Sequence, residues 1–164
     1  GGGGGIVQTV FAENNTIQSF AFNNQNFSPQ TVCSASITPR SITNKILVYC
    51  SAGVFANGQT AQNYEFSLHL KRGSTLIGGN TQSTQFKGTN VLFSGVNSPE
   101  SASTGTFFYL DSPSTTNSIT YNLCLQGGES ITYGVGRSYN DAPSTLYNYQ
   151  NSPGTSMTLM EVSA

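Results

Sequence analysis

Few side chains in this sequence can do acid–base or nucleophilic chemistry. It has a single histidine, His69, on the polar side of the alternating run Tyr64 to Lys71 (YEFSLHLK). A catalytic triad needs a nucleophile and an acid converging on such a ring, and no GxSxG signature accompanies it. His69 therefore reads as a half-exposed strand residue. The carboxylates Glu13, Glu65, Glu100, Asp111, Glu129, Asp141 and Glu161 are scattered, with no two close in sequence. A glycosidase pair would have to be assembled across strands. Asp111 and Glu129 are placed where turn capping accounts for both. Cys33, Cys50 and Cys124 are too widely spaced for a zinc pattern and odd in number, so they read as small buried hydrophobes rather than a disulfide framework. Nor is there an Asp-rich calcium loop, and Gly78-Gly79 and Gly127-Gly128 lack the lysine and helix of a phosphate loop. The expectation is no catalytic residue, no metal and no cofactor.

Composition narrows the partners. Six Lys and Arg against seven Asp and Glu give a formal net charge of -1, which excludes a basic nucleic-acid footprint and a polybasic lipid-binding patch. Charged residues are 8% of the chain, whereas 67 residues are Ser, Thr, Asn or Gln; neutral polar groups carry solubility. No apolar run approaches the ~20 residues of a membrane span, so no membrane insertion is expected.

The elements that must hold these residues have period two. Lys45 to Val54 (KILVYCSAGV) is apolar on both faces, the pattern of a buried central strand. In YEFSLHLK, Tyr64, Phe66, Leu68 and Leu70 share one face. Thr106–Asp111, Ile119–Gln126, Ile131–Val135 and Ser156–Val162 follow, with weaker runs at Ile6–Phe11, Thr31–Ile37 and Val91–Ser94. Arg72-Gly73 suits a tight turn, as does Asn57-Gly58. Gln126-Gly127-Gly128-Glu129 is the strongest hairpin signal. No window carries a 3.6-residue period. The pattern predicts an all-β, antiparallel sandwich or barrel over residues 6–164, preceded by a flexible Gly1–Gly5 linker that is either a joint to something upstream or an expression remnant.

Two polar-aromatic stretches stand out. Arg137 to Asn151 offers Tyr139, Asn140, Asp141, Tyr147, Asn148 and Tyr149, the mixture that recognition loops use to bind a sugar or protein surface. Glu13 to Gln30, with Phe20, Phe22 and Phe27, reads as a strand pair with a polar turn or as a surface given to a neighbouring subunit.

Four phrases in order, NKILV (Asn44–Val48), LKRGSTLIGG (Leu70–Gly79), YLDSPSTTNSITYNLCLQ (Tyr109–Gln126) and SMTLMEV (Ser156–Val162), resemble the small β-sandwich domains of bacteriophage tail-fibre, head-fibre and capsid-decoration proteins, notably marine and cyanobacterial ones. The resemblance covers most of residues 31–164. It implies a jelly-roll head similar to those of tumour necrosis factor and C1q, forming a homotrimer at the virion surface after assembly in the host cytoplasm. It also implies attachment to other virion proteins (stalk or capsid) through the N-terminus and contact with a host cell-surface glycan or protein. Phe66, Leu68, Phe107, Phe108, Tyr109, Tyr121 and Leu123 exceed what one small sandwich needs inside and are the expected trimer contacts. The alternative is a monomeric carbohydrate-binding module of a secreted protein.

Overall fold

Alternating apolar residues with no 3.6-residue period leave the chain one way to bury its side chains, as paired strands stacked in layers. The computed structural model describes residues 4–22, 28–57, 64–78, 90–94, 100–127, 130–136 and 154–164, with the backbone alone at 57, 64–65, 90–94 and 100–102. Eleven strands are seen among them: β1 (Ile6–Asn14), β2 (Gln18–Ala21), β3 (Gln30–Ile37), β4 (Lys45–Asn57), β5 (Tyr64–Arg72), β6 (Thr75–Ile77), β7 (Asn90–Ser94), β8 (Glu100–Asp111), β9 (Ile119–Gly127), β10 (Thr132–Val135) and β11 (Thr155–Val162). No described residue is helical. The strands form two antiparallel sheets packed as a β-sandwich.

The first sheet is centred on the thirteen-residue β4. One edge of β4 pairs with β8 along its whole length, without a register shift. Its other edge is shared by β11 and β10, which pair in turn with β1 and β2. The second sheet runs β3-β9-β5-β6, with β7 also on β5. Phe22, Val32, Ile37, Ile46, Val48, Val54, Phe66, Leu68, Leu70, Leu123, Leu125 and Leu159 fill the space between the two layers. Burial of these side chains, at roughly 1.5–3 kcal/mol each, is the main force holding the layers together.

The chain changes sheet at most connections, and this overturns one local expectation. Gln126-Gly127-Gly128-Glu129 does not close a hairpin: β9 pairs with β3 and β5, whereas β10 pairs with β2 and β4. Glycine pairs permit a sheet-to-sheet crossing as readily as a tight turn, and strand pairing is settled by distant partners. Arg72-Gly73 does close one, with β5 on β6 and Gly73 at φ 60°. Asn57 ends β4 and leads to β5 in the other sheet. Nor do β1 and β2 pair with each other; they lie in line along one edge, against β11 and β10 respectively. Gly134 is required where β10 passes this edge, since a Cβ there would meet Gln18 O at 2.1 Å and the Phe55 ring at 2.4 Å.

The sandwich has two unlike poles. At one, Gly5 and Ser163 exchange hydrogen bonds (Gly5 N to Ser163 Oγ at 2.9 Å, Ser163 N to Gly5 O at 3.0 Å), so strand contacts reach back into the expected glycine linker. At the other, β2, β4, β7 and β9 all end before the chain crosses to the opposite sheet.

Candidate functional site

Each strand of the first sheet turns alternate residues away from the core, and the register aligns those residues across four strands. One row is Phe11–Thr158–Tyr49–Phe108 and the next is Thr9–Met160–Leu47–Leu110. Phe108 is 74% exposed, Phe11 62%, Leu110 49% and Tyr49 40%. On the side toward the crossing connections the next row is polar, Glu13–Ser156–Ser51–Thr106. Two rows on four strands ~4.8 Å apart, together covering about four residues of each strand, give this apolar wall an area on the order of 250 Å² in plan. Exposed apolar rows rimmed by polar residues make this face a candidate interaction surface. No charged side chain lies within the two apolar rows; Glu13 and Lys45 stand at their margins.

The seven expected contact residues divide. Phe66, Leu68, Tyr121 and Leu123 are fully buried between the sheets of one copy, so their surface is consumed inside it. Phe107 and Tyr109 point inward from β8 and pack on the core. Phe108 alone belongs to the wall. Sequence reasoning missed its companions Phe11, Leu47, Tyr49, Leu110 and Met160. The available signal was two-sided apolarity in KILVYC, TFFYL and SMTLM: an antiparallel sheet with only one covered face needs just one apolar side. The recognition candidates Tyr139, Asn140, Asp141, Tyr147, Asn148 and Tyr149 lie outside the described residues, as do Phe27 and Glu129.

The polar groups are engaged in structure. His69 is buried at 2% exposure, not half-exposed, and shares a 2.7 Å hydrogen bond with Ser67 Oγ. Both face away from the core on β5 yet are enclosed. Asp111 does not cap a turn. It accepts two bonds from Arg72 Nη1 (3.1 and 3.0 Å) and one from Tyr121 Oη (2.6 Å), which ties β8 to β5 and β9 of the other sheet. Burial, then this bond to Asp111, pushes the Tyr121 phenol well above its ordinary value. Asp111 shares an inward row with Glu161, in the order Gln8–Glu161–Ile46–Asp111. Both carboxylates are buried among donors, with Ile46 between them. All three cysteines are free and buried. Burial, followed by the neighbouring Cys33, pushes the Cys50 thiol up to about 12. Among the described residues no group of His, Cys, Asp and Glu is placed to hold a metal ion, and no helix is long and apolar enough to cross a membrane.

No protein-family model matches the chain, and no curated protein matches it in sequence.

Proposed function

We propose that this chain is a non-enzymatic structural head domain of a virion fibre or decoration protein, a jelly roll that assembles as a homotrimer and presents a surface for host attachment. The apolar wall carries the reading. An exposed row of Phe11, Tyr49 and Phe108 over a second row of Met160, Leu47 and Leu110 is costly to leave in water and is relieved by burial against neighbouring copies of the chain. The strand orders β1-β11-β4-β8 and β3-β9-β5-β6/β7 support the jelly roll, and the resemblance of the four phrases to those of phage head domains is the ground for the virion setting. Termini that meet at one pole suit a head whose N-terminal pole meets the stalk or capsid while the far pole meets the host glycan or protein. Repetition of weak sites on one rigid assembly supplies avidity without a deep pocket.

Size exclusion with light scattering at micromolar concentration tests the reading. The expected mass is three times the 17.4 kDa of one chain; a stable monomer overturns it. The second reading, a carbohydrate-binding module, is favoured by one observation: three rings on one row of a sheet face make a platform on which sugars stack. Strong glycan binding by a monomer, lost in Tyr49→Ala, selects that reading instead.

A further inference from the structure

Glu161 lies between Met160 and Val162, which point outward, and itself points into the floor of the sandwich, where it is fully buried. The neighbours that bond to it are donors. Arg40 N–H and Asn44 Nδ2 reach Oε1 at 2.7 and 2.6 Å, and Gln8 Nε2 reaches Oε2 at 2.6 Å. The backbone N–H of Ser41 adds to the set. These donors come from β1 and from the connection between β3 and β4. Gln8 closes the ring by also donating to Thr38 O at 2.7 Å. An ionised carboxylate only accepts, so it fits such a cage; a carboxylic acid must also donate, and its O–H would meet donors.

Resting on the assembly reading above, we propose that this cage is an acid-sensitive latch. Ionised Glu161 holds β1, and with it Phe11 at the margin of the wall, against β11; protonation releases β1 and weakens the association of copies.

The charged groups around it are known for each packed element among the described residues. β4 brings Lys45, opposite Val162, and the connection brings Arg40; both are exposed. β8 brings Asp111, two strands away and held by Arg72 and Tyr121. β1 brings Glu13 at its far end, and β3 brings no ionisable side chain at this level. Burial by itself would raise the Glu161 carboxyl, but the bonds from Asn44, Gln8 and the Arg40 and Ser41 N–H groups outweigh it and hold it below 4.5. The unlatched chain therefore binds the proton more readily. The latch is fully closed above that ordinary value and opens as pH falls through the lower native one.

Hydrogen exchange read strand by strand, with mass measured in parallel, tests this between pH 6 and pH 3.5. The expected result is a loss of protection at Thr9–Ala12 of about tenfold or more, with β5 and β9 changing less, and the same loss already at pH 6 in Glu161→Gln. Gln8→Ala, which removes one donor and keeps the acid, shows a smaller loss at pH 6 and decides the matter if Glu161→Gln does not fold. Protection of β1 that tracks β5 and β9 across the range overturns the latch. A chain that is monomeric throughout but still opens at β1 in acid supports the latch and counts only against assembly.

Discussion

The two sheets show opposite outer faces although both are built from strands of the same period. On the second sheet the lower outer face is hydroxyl and amide: Ser34 Oγ donates to Asn122 Oδ1 at 2.7 Å, Ser36 and Thr120 share a bond of 2.7 Å, and Asn122 Nδ2 donates to Gly73 O at 2.9 Å. Its polar atoms are satisfied by one another and by water. On the first sheet the matching face shows Phe11, Tyr49, Phe108 and Leu110. Water contact costs nothing on one side and roughly 25 cal/mol per Å² of apolar surface on the other. A sandwich finished as a monomer has two faces of the first kind. Here the lower part of one outer face is of that kind and the other outer face is apolar, and on the proposed reading that apolar face is the one neighbouring copies cover.

The largest test of that contrast is inside the sandwich. Leu123→Ala, on the core face of β9, should lower stability by about 3 kcal/mol in chemical denaturation of the protein, with no change in its assembled mass. If Leu123→Ala instead dissociates the protein without destabilising it, the division between core and wall is misplaced. Phe108→Asp should do the reverse: association weaker by about 100-fold, or about 2.7 kcal/mol, in sedimentation velocity, with the thermal midpoint preserved when both proteins are diluted until dissociated. Ser36→Asp, on the opposite outer face, is its control and should leave the mass unchanged. Equal effects of the two substitutions would erase the contrast.

Acid sharpens it further. Because the Glu161 carboxyl is held low, wild-type stability should be flat above its ordinary value of 4.5 and fall as pH drops below it. Glu161→Gln should lose that part of the pH profile in thermal melts. Smaller still, Thr120→Ala should cost under about 1 kcal/mol, since water replaces the lost partner on an exposed face. Least of all, a thiol reagent at pH 8 should modify none of Cys33, Cys50 and Cys124 until the chain unfolds, because burial enclosing each also raises its thiol. Rapid labelling of native protein would contradict the packing drawn here.

Much of the fold was legible. YEFSLHLK placed Phe66, Leu68 and Leu70 on one face, and the core contains all three. KILVYC was legible as a central strand, and β4 is the middle of its sheet. The candidate site was legible only in Phe108. Leu47 and Tyr49 looked like the second covered side of a buried strand, and nothing local distinguishes an apolar face covered by the same chain from one left open. Glu161 looked like an isolated acid because its donors, Gln8 and Asn44, are 153 and 117 residues away.

Sequence alone determined the period-two alternation, the strand character of the described residues and the burial of the cysteines. These depend on side-chain type and on neighbours two residues apart, and the backbone geometry of a strand enforces them wherever the strand is placed. Tertiary structure alone decided which strands share a sheet, that β9 and β10 part company at their glycines, that two acids sink into donor cages, and which apolar face stays uncovered. Those outcomes follow from pairing between residues far apart in the chain, where the free energy belongs to the assembled layers and no single segment carries it.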